Sequence, residues 1–285
     1  MRKVDSKYAP SERYDMNKKK AEAYEKLLKE TKDLYIAPLR IGKIELENGW
    51  EKLGGCREIN LYTYWQGLEY IKSTPSIKYL LVAQDWGCLE KASEEFIERI
   101  KKINKGHTDK PYIKNDEKNF PTDENLIILF KELGYGSHNP SIAKKRYVEL
   151  FFTNFCLGYR KNKSSNGMPK EAMEHDAKYF RRLCEILEPE NILCLGKMTF
   201  VSVYESLMNE KESKPKNFNK GYNYFIEHHD KIIAKCGNVE SKIYPLAHCG
   251  ILGTMNRNKN SDKEKLSLDR QIEDWRRIAK DNRER

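Results

Sequence analysis

The sequence predicts an α/β protein, a three-layer α/β/α sandwich with a mainly parallel four-stranded central sheet. Four short apolar runs typical of strands buried on both faces recur along the chain, at residues 79–82, 148–154, 192–195 and 243–246. Segments with the three-to-four-residue apolar spacing of amphipathic helices alternate with these runs. Such alternation is typical of a parallel sheet that helices cover on both faces.

The remaining elements follow from apolar spacing and from the residues at segment ends. Proline or glycine stands at several of the helix boundaries. We expect helices at about residues 16–34, 89–105, 122–134, 169–187, 197–207 and 262–278. Residues 224–226 and 232–234 are predicted to form a hairpin or an edge pair. The chain then divides into an N-terminal helical extension, residues 1–50, and one α/β domain, residues 51–285.

Composition favours a polyanionic partner and a reducing compartment. The 285 residues include 53 Lys and Arg against 43 Asp and Glu, a net charge of +10. This excess suits nucleic acid or an anionic membrane face, although a lysine-rich solvated surface would give the same count. The seven cysteines are scattered and lack a C-x-x-C pair, which argues against a disulfide framework or a zinc ribbon. With no secretory signal or membrane-length apolar segment evident, we expect a soluble cytoplasmic protein.

Polar side chains follow three of the predicted strands at the point where each strand ends. Gln84 and Asp85 follow the first strand, Asn154 ends the second, and His248 follows the fourth. In an open α/β sheet, ligands bind in the crevice outside the carboxyl ends of the strands. A carboxylate, an amide and an imidazole are therefore candidates for one shared site.

Five motifs, in this order, resemble those of the uracil-DNA glycosylase superfamily. The run L-L-V-A-Q-D-W-G resembles the family's first motif, a strand that ends in a Gln-Asp pair. The other four are F-P-T-D-E-N-L-I-I-L-F-K-E-L (the base-stacking phenylalanine), L-F-F-T-N (the base-reading asparagine), E-P-E-N-I-L-C-L-G (a structural strand) and Y-P-L-A-H-C-G-I-L-G (the histidine motif). Together they span residues 79–257, so the domain 51–285 would be a glycosylase-like domain.

The resemblance implies a nucleotide that is flipped out of DNA and loses its base by hydrolysis, with no cofactor and no metal. Asp85 would orient the attacking water and stabilise the cationic sugar, while His248 would donate to O2 of the departing base. Gln84 would contact the base, Phe120 would stack on it, and Asn154 would read the edge of uracil or, turned over, of cytosine. From the residues alone, Asp85 could instead cap the helix predicted near residue 89.

Further positions extend the expected site towards the base and the DNA backbone. Leu252 matches the apolar wedge that fills the gap left by a flipped nucleotide. Arg257 and Lys259 follow it closely and either contact phosphates or belong to a solvated loop. Arg160 and Lys161 lie in a loop after the second strand that either contacts phosphates or is a flexible surface segment.

The chain departs from the family pattern beside the Gln-Asp pair and in its cysteines. The best-known branch has Pro-Tyr where this chain has Trp86 and Gly87, and that tyrosine is said to exclude a 5-methyl group. We assign both residues to base binding, and glycine would leave room beside C5 of a pyrimidine. Only Cys56 lies where iron-sulfur branches carry a C-x-x-C pair, so no cluster is expected.

Three functions remain open at this level. The first is a monomeric, monofunctional DNA glycosylase acting on uracil or a 5-modified pyrimidine, in repair or in defence against modified phage DNA. The second is a catalytically silent nucleic-acid-binding module of the same fold. The third is a cysteine hydrolase, which the adjacent pair His248-Cys249 does not suit because neighbours on an extended strand point to opposite faces.

Overall fold

The computed structural model describes residues 10–31, 33–48, 77–85, 87, 121–134, 150–161, 167–208 and 214–283. The predicted helix at 89–105, Trp86 and Phe120 lie outside these ranges. The strands are β1 (Leu39–Ile41), β2 (Ile44–Glu47), β3 (Tyr79–Ala83), β4 (Leu150–Asn154), β5 (Tyr159–Arg160), β6 (Asn191–Leu195), β7 (Ile233–Cys236) and β8 (Val239–Leu246). The helices are α1 (Pro10–Thr31), α2 (Pro121–Glu132), α3 (Lys170–Leu187), α4 (Lys197–Met208), α5 (Tyr222–His228), α6 (Ile251–Arg257) and α7 (Asp269–Asp281).

The main sheet has five strands in the order β4-β3-β6-β8-β7. β4, β3, β6 and β8 are parallel to one another and correspond to the four predicted strands. The predicted count of four is wrong because β7 pairs antiparallel with β8 and adds an edge strand. Within the described chain, the α/β class with a mostly parallel sheet is therefore confirmed.

Alternate residues of the central strands lie on opposite faces of this sheet. Leu80 and Val82 of β3 belong to a buried apolar cluster that also contains residues of α1, α3 and α4. Tyr79 is on the other face, where its hydroxyl accepts a hydrogen bond from Asn282 Nδ2, just beyond α7. Successive side chains of a strand point to opposite faces, and both faces of β3 are buried. The strand is therefore apolar along its whole length.

A second, three-stranded sheet joins the N-terminal segment to the chain after β4. Its order is β1-β2-β5, with both pairs antiparallel. α1 packs on α3, and its residues Tyr24 and Leu27 are fully buried in the main apolar cluster. Residues 39–47 thus form a hairpin of two strands. The domain boundary at residue 50 stays a prediction.

Two predictions near the C-terminus are wrong. Residues 224–226 form part of α5, because Tyr222, Phe225 and Ile226 have helical spacing. The Phe225 ring packs against the rings of Phe200 and Phe218. The last helix begins at Asp269, later than the predicted residue 262. The preceding loop is held by Asn258, whose Nδ2 donates to the carbonyl oxygens of residues 264, 265 and 267.

In the ranges given above, no helix has both the length and the apolar character that crossing a membrane requires.

The packing of α7 on α2 should carry a large share of stability. Trp275 is fully buried, and its ring meets Phe130 edge-on with centroids 5.1 Å apart. Trp275→Ala should lower the free energy of unfolding by about 3–5 kcal/mol because it leaves a cavity. Urea denaturation followed by circular dichroism measures this. Leu266→Ala is the control, since Leu266 is exposed; equal losses in both variants would contradict the assignment of Trp275 to the core.

Candidate functional site

The predicted polar residues lie at the carboxyl ends of neighbouring parallel strands. Asn154 ends β4, Gln84 and Asp85 follow β3, Gly196 follows β6, and His248 comes shortly after β8. In the sheet, β4 is beside β3 on one side, whereas β6 and β8 lie on the other. The chain order therefore reverses at β3, and the crevice at such a switch point is where ligands bind in open α/β sheets.

Asp85 is held by hydrogen bonds at both of its carboxylate oxygens. Oδ1 accepts from the backbone N–H of Gly87 at 2.7 Å and from Arg160 Nε at 3.2 Å. Oδ2 accepts from Gln84 Nε2 at 2.9 Å and from Arg160 Nη2 at 2.7 Å. The Asp85 side chain is only 8% exposed. Donors from the described residues thus match the four lone-pair positions of a carboxylate.

Gly87 has a backbone conformation that explains the glycine. Its φ of +75° lies in the left-handed region, and this conformation brings its N–H to Asp85. No described atom lies within 4 Å of a Cβ built on Gly87. The glycine therefore serves the carboxylate's hydrogen bonding, and the described residues leave space beside it.

The expected surface position of Arg160 is wrong. Arg160 lies in β5 and is only 5% exposed. Its guanidinium group forms a two-point ion pair with Asp85. Lys161, the next residue, does lie at the surface with its side chain 54% exposed. Its Nζ pairs with Glu45 Oε1 at 2.6 Å. Arg160 thus belongs to a strand, and Lys161 directly follows it.

Asn154 presents a buried polar atom that lacks a partner among the described residues. It lies opposite Ala83 in the β3–β4 register and is 3% exposed. Its Oδ1 accepts no hydrogen bond from any described residue. Leaving a buried acceptor unpaired costs about 1–3 kcal/mol, so such an atom marks a place where a ligand's donor would fit.

His248 has its ring state set by the loop that follows it. The backbone N–H of Gly250 donates to Nδ1 at 2.9 Å, so in the neutral ring the proton is on Nε2. Burial lowers the pKa of His248, and the negative charge of Asp85 acts in the opposite direction. The loop is fixed to α2, because Asn125 Nδ2 donates to the Cys249 carbonyl at 2.6 Å.

The helix α6 packs directly on the backbone of His248 and exposes the predicted wedge. A Cβ on Gly253 would lie 2.0 Å from the His248 carbonyl oxygen, so only glycine permits this approach. Leu252 is 66% exposed, and its neighbours Ile251 and Met255 are exposed as well. These three side chains form an apolar surface beside His248.

The expected surface position of Arg257 is also wrong. The residue is 2% exposed, and its Nε and Nη2 donate to the two carboxylate oxygens of Asp274, each at 2.8 Å. Nη2 also lies 2.8 Å from Glu227 Oε1. The C-terminal helix α7 supplies Asp274, so the arginine ties α6 to α7.

A basic cleft, defined by Lys197, Lys220, Lys259 and Arg270, opens beside His248. Its volume is about 910 Å³, and His248 lies in its wall. Glu227 is also in the wall and pairs with Arg270. Of the residues placed, neither Asp85 nor Asn154 lines this cleft.

Of the basic residues in the cleft, Lys259 is a candidate from the sequence, whereas Lys197, Lys220 and Arg270 are not. Lys197 follows the end of β6 and could have been found by the same strand-end rule that indicated Asp85. Lys220 and Arg270 come from distant segments, and no local pattern identifies them. In the described part of the chain, no three His, Cys, Asp or Glu side chains are grouped so as to hold a metal ion.

The described cysteines give the hydrolase alternative no support. Cys156, Cys184, Cys194, Cys236 and Cys249 are all buried free thiols. Burial raises the pKa values of Cys156, Cys184 and Cys194 well above the usual range, which disfavours the nucleophilic thiolate. A hydrogen bond with Cys184 lowers the pKa of Cys236, but that thiol is fully buried and so is closed to a substrate. The Cys249 thiol faces the Thr122 carbonyl oxygen at 3.6 Å.

No protein-family model matches this sequence, and no curated protein matches it either.

His248 should be less protonated than free histidine at the pH where free histidine is half protonated, about 6.5. Its lowered folded-state pKa means that the unfolded chain takes up a proton first as the pH falls. Its contribution to stability is therefore complete above pH ~6.5 and is lost on acidification below it. At pH 6.5, ¹⁵N NMR of the imidazole, assigned with His248→Gln, should show the Nε2–H tautomer. A ring at least as protonated as free histidine, or a neutral ring with the proton on Nδ1, would contradict this assignment.

Proposed function

We propose that this protein is a monofunctional DNA glycosylase that flips a uracil or 5-modified pyrimidine nucleotide out of DNA. It hydrolyses the N-glycosidic bond and leaves an abasic site. The observation that carries the proposal is Oδ1 of Asn154, which has no partner among the described residues and is buried at the strand end next to the one that bears Asp85. We further propose a three-layer α/β/α arrangement, and a cytoplasmic monomer without cofactor or metal that acts in repair or in defence against modified phage DNA.

Asn154 supplies the recognition step. Its Oδ1 would accept a hydrogen bond from N3–H of uracil, and the amide nitrogen would donate to O4. With the amide turned over, the same side chain would pair with cytosine. Phe120 would stack on the base, which is an expectation from the sequence alone. The amide therefore supports a pyrimidine and leaves its identity to the rest of the pocket.

During bond cleavage, His248 would stabilise the negative charge on the base and Asp85 the positive charge on the sugar. As the bond from C1′ to N1 breaks, its electrons stay with the base, and Nε2–H of His248 donates to the negative O2. The Asp85 carboxylate stabilises the cationic sugar and orients the water that adds to C1′, and the proton that this water loses neutralises the departing base anion. Since the four positions of Asp85 are occupied, water needs one donor to leave. Gln84 is the uncharged side-chain donor, so its turning to the base would release that position.

Gly87 supports room for a substituent without deciding the substrate. Open space lies beside its Cα among the described residues, which suits a 5-modified pyrimidine. Its positive φ and its bond to Asp85 give a second reason for glycine at this position, independent of the base. Trp86 remains a sequence-based assignment to base binding. A substrate panel is therefore needed to separate uracil from modified pyrimidines.

DNA binding is assigned only in part to the residues expected, since Leu252 and Lys259 are kept and Lys197 and Lys220 are added. The cleft lysines take the place of Arg160 and Arg257, whose guanidinium groups are engaged in buried ion pairs. Phosphates would lie along the basic cleft, with the exposed Leu252 as the wedge. Lys161 remains a peripheral candidate, since its ammonium group is exposed but paired with Glu45.

A catalytically silent nucleic-acid-binding module is the second candidate. It is favoured by the complete engagement of Asp85, whose charge is matched by the buried Arg160. In that function Asp85 would only fix the loop after β3, and Asn154 would still bind a base.

The two candidates are separated by the release of bases. Oligonucleotides carrying uracil, a thymine mismatch, 5-hydroxymethylcytosine or glucosylated cytosine are incubated with the protein and cleaved with alkali at abasic sites. Wild type should release one of these bases, and Asp85→Asn should lose about 10²–10³-fold or more in single-turnover rate because the sugar cation loses its counter-charge. Asp230→Asn, at an exposed carboxylate, is the matched control. No release with any substrate, or an undiminished Asp85→Asn rate, would sink the catalytic proposal.

The basic cleft should set the salt dependence of DNA binding. Lys197→Ala, Lys220→Ala and Lys259→Ala should each weaken binding and reduce the slope of log K against log salt by about 1 for each phosphate that is no longer neutralised. Fluorescence anisotropy with labelled DNA measures both. Lys170→Ala on α3 is the control, because that lysine pairs with Glu205 away from the cleft lining. An affinity independent of salt, or an equally weakened control, would argue against this binding surface.

A further inference from the structure

The two-residue strand β5 lies between the N-terminal hairpin β1–β2 and the loop that carries Asp85. On one side, β5 pairs with β2 through Leu46 opposite Arg160, and the Lys161 N–H donates to the Glu45 carbonyl at 2.9 Å. On the other side, the Arg160 N–H donates to the Gly87 carbonyl at 2.8 Å. A continuous series of backbone hydrogen bonds therefore links the N-terminal segment to the candidate catalytic loop.

We propose that Arg160 is a positioning residue, fixed by the N-terminal hairpin, that sets the orientation of the Asp85 carboxylate for the reaction. The inference rests on the proposed catalytic function of Asp85. It also gives residues 39–48 a role, since they would form part of the active-site framework.

The contact geometry supports orientation as well as charge balance. Arg160 Nε and Nη2 reach different oxygens of Asp85, so the planar guanidinium fixes the plane of the carboxylate. The Gly87 N–H and Gln84 Nε2 take the remaining positions, one on each oxygen. A lysine ammonium is a point charge without this fork, so it would match the charge but not hold the plane.

The hairpin is needed because β5 is too short to hold its own position. Gly158, just before β5, packs so closely that an added Cβ would lie 3.0 Å from the Tyr35 ring and 3.1 Å from Leu46 Cβ. Asn48 N–H in turn donates to the Tyr35 carbonyl at 3.0 Å, which closes the segment on itself. A steric clash at this contact should therefore displace Arg160 and, through its ion pair, the Asp85 carboxylate.

Arg160→Gln, which keeps a polar side chain without the charged fork, should reduce the single-turnover rate on the order of 10²-fold, as misplacement of a reacting group does. DNA affinity should be unchanged, because Arg160 is buried away from the cleft lining. Arg160→Lys should recover part of the rate at most. A rate equal to wild type in Arg160→Gln, with wild type active, would overturn the positioning role while leaving the glycosylase proposal intact.

The hairpin is tested with a pair of matched glycine variants. Gly158→Ala should lower the single-turnover rate at unchanged DNA affinity, since its methyl group presses on Tyr35 and Leu46. Gly167→Ala is the control, because no described atom lies within 4 Å of its added Cβ and its φ is not positive. Equal rates in the two variants would overturn the part assigned to the hairpin.

A readout independent of activity separates the two proposals. In a double-mutant cycle with Arg160→Gln and Asp85→Asn, the double variant should lose less melting temperature than the two single losses added together. Additive losses would mean that the pair is not coupled in solution and would overturn the inference. Coupling in a protein that releases no base would overturn the glycosylase proposal, and the positioning role with it.

Discussion

The buried ion pair between Asp85 and Arg160 joins three parts of the chain that are far apart in sequence. Asp85 follows β3, Arg160 belongs to β5, and the hairpin β1–β2 holds β5 in place. Removing two charges from water is costly, and a buried pair contributes little net stability on average. Its value here is specificity of conformation, since a carboxylate with four donors has one preferred orientation. Loss of either partner leaves the other charge buried without compensation.

The sheet topology brings the other two candidate groups to the same edge. Because β4, β3 and β8 are parallel, the residues after them lie at one end of the sheet, and the chain order reverses at β3, as it does at the ligand-binding edge of open α/β sheets. The three groups differ in how much of their hydrogen bonding is satisfied by the described residues. Asp85 is fully engaged, Asn154 has an oxygen that none of them reaches, and His248 has a ring held at Nδ1. A ligand that donates a hydrogen bond to Asn154 Oδ1 could therefore be bound while the Asp85 carboxylate keeps its orientation.

The two buried arginines show why local sequence is a poor guide to the function of basic residues. Arg160 and Arg257 each stand among polar residues after a strand or in a short helix, a context that indicates a surface. Both are buried because acidic partners from distant segments, Asp85 and Asp274, face them across the fold. Whether an arginine is buried or available to DNA therefore depends on whether an acidic side chain faces it. The position of that side chain depends on the tertiary fold.

The sequence by itself determined the four parallel strands, the helices α1 to α4, and the strand-end placement of Gln84, Asp85, Asn154 and His248. These follow from apolar periodicity and from the abrupt change to polar residues at each strand end, both of which are local. Only the tertiary structure decided the pairing of the fifth strand with β8, the helix at residues 222–228, the ion pairs of the two arginines and the basic cleft. Each of these depends on contacts between segments far apart in the chain, where packing and charge pairing outweigh local propensity.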